Sequence, residues 1–228
     1  MSNINISKKR LDKEKVFVVI APWKYRWFHH SMIKAKIPKD CGYLHYSYSM
    51  DILNDDPYIT KQNFLEILDI IHDDMNHLNK LKERNFYMYG HSMAGTFVMI
   101  LADLMPVKAV AAIVPGSNLA ECFWNGASTQ LLKQDMEQRG MTLPKLKDLW
   151  AEISPDSYFK KKSINTKFYL RLSSKDVVIP YENGIKLVKL MKKNKIKFEL
   201  DENTLTHSHN CGYDYMFPAK TIKKLLNC

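Results

Sequence analysis

The sequence predicts an α/β protein built on a mainly parallel sheet of six strands, with helices on both faces. Short strand-like runs alternate with helix-like segments along most of the chain, which is the order that parallel strands require. The runs at 16–20 and 107–114 are continuously apolar, as expected of strands that are buried on both faces. The six predicted strands lie at 16–20, 42–48, 85–89, 107–114, 167–172 and 197–201.

Helices are predicted between and after these strands. The longest spans about 60–83, just behind Pro57, because its apolar residues recur at three- and four-residue spacings along one face. That face consists of Phe64, Ile67, Leu68, Ile71, Met75, Leu78 and Leu81. Shorter helices are predicted near 29–36, at 96–104 (ended by Pro106), at 181–193 and at 219–226.

Residues 117–164 interrupt the alternation of strands and helices. They carry no strand signal, and two segments, at 131–140 and 146–153, have a helical pattern. We therefore expect one domain spanning residues 1–228, with 117–164 forming a small helical cap or lid inserted into it. Such lids exclude water from a site beneath them and shape its selectivity.

The hexapeptide Gly90-His91-Ser92-Met93-Ala94-Gly95 carries the clearest chemical signal. It follows a predicted strand and leads into a predicted helix, which is the context of a G-x-S-x-G nucleophile elbow. Ala94 stands where the pattern has its last Gly, but it is small enough for strand and helix to meet closely. The alternative is an ordinary turn in which Ser92 caps the helix.

A nucleophilic serine needs a base, and the base needs an acid that orients it. Asp176 lies in the loop that follows the predicted strand 167–172, and His207 and His209 lie beyond the strand 197–201. Functional groups of parallel α/β sheets lie at the carboxyl ends of the strands. The order serine, aspartate, histidine is also the order expected after such an elbow.

These segments resemble the α/β-hydrolase superfamily, specifically its small serine esterases and lipases. The resemblance extends over residues 16–226 and is carried by three segments: the Ser92 hexapeptide, the Asp176 loop and the Thr-His-Ser run around His207. The stretch 153–158 also looks like the Ser-Pro-x-x-Tyr segment that often precedes the acid-bearing strand. The resemblance implies the α/β-hydrolase fold, with the two antiparallel strands that often begin it absent or vestigial.

The resemblance also implies catalytic roles. Ser92 would be the nucleophile, Asp176 the acid and His207 the base, with His209 as the alternative base. His207 is favoured because it lies at the usual distance beyond the last strand and is followed by a small residue. The oxyanion hole would use the backbone amides of Met93 and Trp23. Ala21-Pro22 replaces the His-Gly common ahead of the second donor, so the register at Trp23 departs from the family pattern.

A substrate pocket is expected to include Trp27, Phe123 and Trp124. Trp27 belongs to an aromatic-rich loop after the first strand, and the other two belong to the predicted cap. The alternative for the loop aromatics is packing of the first helix onto the sheet. His29 and His30 do not suggest a metal site, because adjacent side chains point apart. We expect no metal and no organic cofactor.

Composition bounds the class of protein. The 228 residues are 46% hydrophobic, which suits a globular chain, and no apolar run approaches the ~20 residues of a membrane span. The polar, basic first fifteen residues predict no secretory signal and a cytoplasmic protein. The scattered Cys41, Cys122, Cys211 and Cys228 predict reduced thiols.

The net charge of +10 arises mainly from lysines. It favours a solvated basic surface, with attraction of anionic substrates or membrane surfaces as the alternative. The lysines do not alternate with aromatic residues in the manner of a base-stacking surface, so no nucleic-acid partner is expected. Nothing in the sequence specifies an oligomeric state.

The sequence thus predicts a serine hydrolase that cleaves a small-molecule carboxylic ester, or a thioester, through an acyl-enzyme intermediate. Hydrolysis of a peptide, amide or carbon–carbon bond by the same triad is the nearer alternative. A non-catalytic hydrolase-like binding protein is the more distant one.

Overall fold

The computed structural model describes residues 4–23, 33–159, 165–203 and 219–226. Within these ranges, seven strands form one sheet in the order β1-β3-β2-β4-β5-β6-β7. Strand β1 pairs antiparallel with β3, and every other pair is parallel. The strands are β1 Ile4–Lys9, β2 Lys15–Ile20, β3 Gly42–Tyr48, β4 Asn85–His91, β5 Ala109–Ile113, β6 Lys167–Ser173 and β7 Phe198–Asn203.

The predicted α/β class is confirmed, but the sheet has one strand more than the six predicted. The additional strand is β1, which lies at an edge of the sheet and has no fully buried residue. It carries the exposed Lys8 and Lys9, charges that protect an exposed edge from pairing with other chains. A polar edge strand lacks the apolar pattern by which the central strands are predicted.

Helices cover both faces of the sheet. They are α1 Pro57–Leu81, α2 Met93–Leu104, α3 Leu119–Asn125, α4 Gln130–Gln138, α5 Leu143–Leu149, α6 Tyr181–Lys193 and α7 Ala219–Leu226. The larger core cluster joins one face of the sheet to α1, α2, α6 and the residues between β5 and β6. The smaller cluster joins the other face to Ile33, Ile37 and the α7 residues Ile222 and Leu225.

In the described part of the segment between β5 and β6 there are three α-helices, of which α3 was not predicted. It packs tightly on the rest of the protein, because Trp150 is completely buried and its indole N–H donates to the carbonyl of Pro57 at 2.8 Å. Met136 and Leu146 are also fully buried in the larger core cluster. This segment therefore contributes to the core, and its role as a lid stays a prediction.

Helix α1 starts where the sequence gives it a strong signal. Asp56 precedes it and accepts hydrogen bonds from the amides of Tyr58 and Ile59, while Pro57 occupies the first turn, where its missing N–H costs nothing. The apolar face predicted for this helix is buried at Phe64, Ile71 and Met75. No helix in the four described ranges is long and apolar enough to cross a membrane.

Candidate active site

Ser92 lies between β4 and α2 in a strained backbone conformation. Its φ is 60° and its ψ is −129°, a region that side-chain-bearing residues rarely adopt. Its hydroxyl makes no capping hydrogen bond to the helix, so the helix-cap interpretation of this serine is not what the structure shows. Instead, the amide of Ser92 donates to the carbonyl of Ile113, the last residue of β5, at 2.8 Å.

The small residues around Ser92 are required by close contacts. A Cβ at Gly90 would lie 2.3 Å from the carbonyl oxygen of Ala94, well inside the distance of any real contact. A Cβ at Gly95 would lie 3.2 Å from the Cβ of Pro115, and Ala94 is completely buried. Strand β4 and helix α2 therefore meet closely enough to make the sharp turn that a nucleophile elbow needs.

A second strained residue lies beside the elbow. Val114 follows β5 directly and has a φ of 47°, although it is β-branched, and its amide donates to the carbonyl of Arg171 on β6 at 2.7 Å. The next residue, Pro115, is the one that packs on Gly95. Such strain persists where the surrounding structure fixes it, and it commonly marks functional sites.

Strand topology brings Ser92 and the start of the loop that carries Trp23 to one edge of the sheet. Gly90 of β4 pairs with Ile20 of β2, so the loop carrying Trp23 begins beside the serine. Strands β3 and β4 lie on opposite sides of β2, which makes the space between β2 and β4 a point where the strand order reverses. Ligands of open α/β sheets bind at such a point, beyond the carboxyl ends of the strands.

Two backbone amides were predicted to hold an oxyanion. Met93 is the first residue of α2, and the leading amides of a helix have no acceptor within it. Trp23 lies three residues beyond β2, and its indole N–H donates to the carbonyl of Met50 at 2.9 Å. That bond ties the loop after β2 to the turn that follows β3. The oxyanion role of both amides stays a prediction.

Asp176 lies three residues beyond β6 and is 6% exposed. One carboxylate oxygen, Oδ1, accepts hydrogen bonds from the amides of Val178 and Ile179 at 2.8 and 3.0 Å. The amide of Asp176 itself donates to the carbonyl of Ser173 at 3.1 Å. A short loop bonded to itself in this way fixes the orientation of the carboxylate.

Several predicted site residues lie outside the described residues. These are Trp27, His207 and His209. The predicted thiols of Cys211 and Cys228 also lie outside the described residues. Strand β7, which precedes both histidines, pairs with β6 up to Asn203 opposite Ser173, at the edge that carries Ser92 and Asp176. The choice between the two histidines stays open.

The two predicted pocket residues on α3 differ in their surroundings. Phe123 is 2% exposed and packs edge-on against Trp150, with ring centroids 5.1 Å apart. Trp124 is half-buried, and the ammonium group of Lys133 lies 5.3 Å from its ring centroid. Phe123 thus belongs to the core cluster and Trp124 lies nearer the surface. Their contact with substrate stays a prediction.

Sequence reasoning missed the ion pairs that α3 makes with the helices α5 and α6. Glu121 is 8% exposed and bonds to Lys147 on α5 at 2.6 Å and to Lys186 on α6 at 2.5 Å. The signal that could have revealed α3 is its N-cap, because the side chain of Asn118 accepts a hydrogen bond from the amide of Glu121 at 3.0 Å.

Ionisable groups near this helix have perturbed pKa values. Burial acts to raise the pKa of Glu121, but hydrogen bonds from its two lysines outweigh it and lower the pKa below its ordinary value. Burial raises the pKa of Asp156, against a hydrogen bond from Asn118 at 3.1 Å. Burial also raises the pKa of the Cys122 thiol, with Glu121 contributing, which disfavours its nucleophilic thiolate form.

Within the four described ranges, no group of three metal-ligating side chains is suitably placed to hold a metal ion. Cys41 and Cys122, the two cysteines that fall in those ranges, are buried and unbridged.

No protein-family model and no curated protein matches the chain. Solved structures do match. Acylaminoacyl peptidase from Pyrococcus horikoshii is similar with a TM-score of 0.67 and 14% identity, over 95% of this chain and 36% of that one. This chain therefore spans well under half of the peptidase. Esterase B from Lactobacillus rhamnosis matches with a TM-score of 0.65 and 11% identity, over 99% of this chain and 84% of that one.

A third similar structure matches this chain over nearly the full length of both proteins. The lipase-esterase related protein from Clostridium acetobutylicum matches with a TM-score of 0.60 and 13% identity, over 98% of this chain and all of that one (100%). The three similar proteins are a peptidase, an esterase and a lipase-esterase related protein, at 11% to 14% identity to this chain. The chain has the α/β-hydrolase fold.

Proposed function

We propose that the protein is a serine hydrolase that cleaves a carboxylic ester, or a thioester, through a triad of Ser92, Asp176 and His207. The observation that carries the proposal is the strained Ser92 at the point where the strand order reverses, in the same sheet edge as the buried Asp176. Binding alone requires neither a strained serine nor an oriented carboxylate, so these features favour catalysis over a binding protein.

The spacing of the strands supports the proposed roles. One strand, β5, separates β4 from β6. The carboxyl ends of β4 and β6, which lead to Ser92 and Asp176, are therefore about 10 Å apart. A hydroxyl and a carboxylate at that separation do not contact each other, so a base between them is needed to take the hydroxyl proton while the carboxylate balances the charge of the protonated base. An imidazole from the segment after β7 has the size and the chemistry to fill this position.

The proposed reaction begins with proton transfer from the Ser92 hydroxyl to the imidazole of His207. The serine oxygen attacks the acyl carbon, and the amides of Met93 and Trp23 stabilise the oxyanion that forms. The imidazolium then protonates the departing alcohol or thiol, which leaves an acyl-enzyme. Water, deprotonated by His207, hydrolyses this intermediate. Asp176 holds the imidazole in the required tautomer and balances its charge.

Hydrolysis of a peptide or amide bond is the second candidate. It is favoured by the likeness to an acylaminoacyl peptidase, of which this chain corresponds to 36%. Esters are placed first because this chain covers most of the length of esterase B and all of the lipase-esterase related protein. A pair of substrates with the same acyl group, one a p-nitrophenyl ester and one a p-nitroanilide, distinguishes the two.

Turnover of p-nitrophenyl esters of graded acyl length tests the proposal. Ser92→Ala is expected to lower kcat by about 10⁶-fold and Asp176→Asn by about 10⁴-fold. Whichever of His207→Ala and His209→Ala matches the serine variant identifies the base. A wild-type protein that hydrolyses no ester and no anilide, or a Ser92→Ala variant of undiminished activity, would overturn the proposal.

A further inference from the structure

We infer that Gly126, in the turn after α3, is a positioning residue for the Asp176 carboxylate. This inference rests on the proposed function for its catalytic meaning. The starting observation is that Gly126 has no conformational need to be glycine, because its φ of −75° and ψ of 139° are accessible to any residue. Its lack of a side chain therefore has another cause.

That cause is contact with the loop that carries Asp176. A Cβ on Gly126 would lie 2.4 Å from the carbonyl oxygen of Val178 and 2.6 Å from that of Cys122. Both obstacles are backbone atoms, which cannot swing away as a flexible side chain can. The turn after α3 and the loop after β6 are thus as close at this point as two backbones can be.

The contact leads directly to the carboxylate. Val178 meets Gly126 through its carbonyl oxygen, and through its amide it donates to Oδ1 of Asp176 at 2.8 Å. Next to it, the amide of Ala127 donates to the carbonyl of Val177 at 2.8 Å. A displacement of the loop at Val178 would therefore move a hydrogen-bond donor of the proposed acid.

The turn that contains Gly126 is itself held firmly. The hydroxyl of Thr129 lies within hydrogen-bond distance of the carbonyls of Phe123 and Gly126, and the side-chain amide of Gln130 donates to the Gly126 carbonyl at 2.8 Å. The turn is consequently well held, and an added methyl group would press on the Asp176 loop at Val178 as well as on the end of α3 at Cys122.

The test is Gly126→Ala, with Gly140→Ala as the matched control. Gly140 also lies between β5 and β6, its φ of 77° makes alanine strained there, and nothing lies within 4 Å of its Cβ position. We expect Gly126→Ala to lower kcat by about 10- to 100-fold at similar KM, since misplacement of about 1 Å has effects of that size. Gly140→Ala is expected to leave kcat unchanged.

A double-mutant cycle separates positioning from general damage. If Gly126 acts through Asp176, the Gly126→Ala change has little further effect on kcat in an Asp176→Asn background. An equal loss in both backgrounds, or no loss in either, would overturn the inference. If Gly126→Ala does not fold, Thr129→Val, which loosens the same turn, takes its place in the cycle with a smaller expected loss.

Amide hydrogen exchange gives a readout that does not depend on activity. The amides of Val178 and Ile179, which bond to Asp176, should exchange faster in Gly126→Ala than in the wild type and in Gly140→Ala. Unchanged exchange at both amides would overturn the inference. A wild-type protein without hydrolase activity would refute the proposed function, while this exchange measurement would still decide whether Gly126 positions Asp176.

Discussion

The amide of Ser92 donates to the carbonyl of Ile113 at 2.8 Å and so extends the pairing of β4 with β5 by one residue past the last strand pair. The strained backbone of the serine is thereby held by the sheet itself. On the next strand, the strained Val114 is held in the same way by the carbonyl of Arg171. Two adjacent strand ends thus store strain at the edge where the candidate active site lies.

The two glycines of the elbow should respond differently to alanine. Gly90→Ala places a methyl group 2.3 Å from a backbone carbonyl, so we expect a loss of about 3 kcal/mol of unfolding free energy and loss of activity. Gly95→Ala meets Pro115 at 3.2 Å and should cost less than about 1 kcal/mol, because it also removes a helical glycine. Urea denaturation measures both. Equal losses for the two variants would contradict this account of the elbow.

Glu121→Gln should destabilise the protein at neutral pH. Removing the charge weakens two lysine contacts of a mostly buried carboxylate, and we expect a loss of about 1 kcal/mol because both lysines are partly exposed. The pKa of Glu121 is lowered by folding, so the ionised carboxylate stabilises the protein above its unfolded value of 4.5. That stabilisation is lost as the pH falls through the folded pKa.

Urea denaturation of the wild type and Glu121→Gln along a pH series measures this effect, since urea does not screen charges. The difference in unfolding free energy should be largest near neutral pH and should shrink below pH 4.5. A difference that stays constant over this range would show that the charge of Glu121 is not what stabilises the contacts.

Asp156→Asn should stabilise the protein at neutral pH, in contrast to Glu121→Gln. Burial raises the pKa of Asp156 above its ordinary 3.8, so the ionised carboxylate is disfavoured in the folded protein. Asparagine keeps an oxygen that can accept the hydrogen bond from Asn118. We expect a gain of up to about 1 kcal/mol near neutral pH, which disappears once the wild-type group is protonated in both states. A clear loss of stability at neutral pH would contradict this prediction.

Trp23→Phe tests the bond between the loop after β2 and the turn after β3. The variant keeps an aromatic ring but removes the N–H that donates to Met50, so the backbone of residue 23 should be less firmly held. We expect kcat for an ester to fall about 10-fold with little change in KM, because loss of a whole oxyanion donor costs about 100-fold or more. Tyr58→Phe, at an exposed position on α1, is the control. Unchanged kcat in Trp23→Phe would separate this loop from catalysis.

The elements with strong patterns could be predicted from the sequence. The bounds of β3 at 42–48, α6 at 181–193 and α7 at 219–226 agree with the prediction, because apolar periodicity and turn residues mark them. Strand β1 could not be found that way, since it lies at an edge and buries little. The short helix α3 is specified by its cap and by tertiary contacts more than by its seven residues.

The sequence identifies candidate residues of the site, but it does not reveal the contacts that hold their loops in place. The pattern around Ser92 and the strand before Asp176 identify candidate residues, because local sequence determines turns at strand ends. The contact between Gly126 and Val178 joins segments about fifty residues apart, and no local pattern encodes it. Glycine at position 126 becomes informative once its ordinary backbone angles and its close neighbour are both known.

Labelling with a fluorophosphonate, followed by mass spectrometry of the modified peptide, tests the central claim most directly. The account predicts one label per chain on Ser92, no label in Ser92→Ala, and loss of ester hydrolysis in proportion to labelling. Heat-denatured protein serves as the control, because labelling of an activated serine requires the folded site. Absence of labelling in the folded wild type, or labelling at another residue, would contradict the assignment of Ser92 as a nucleophile.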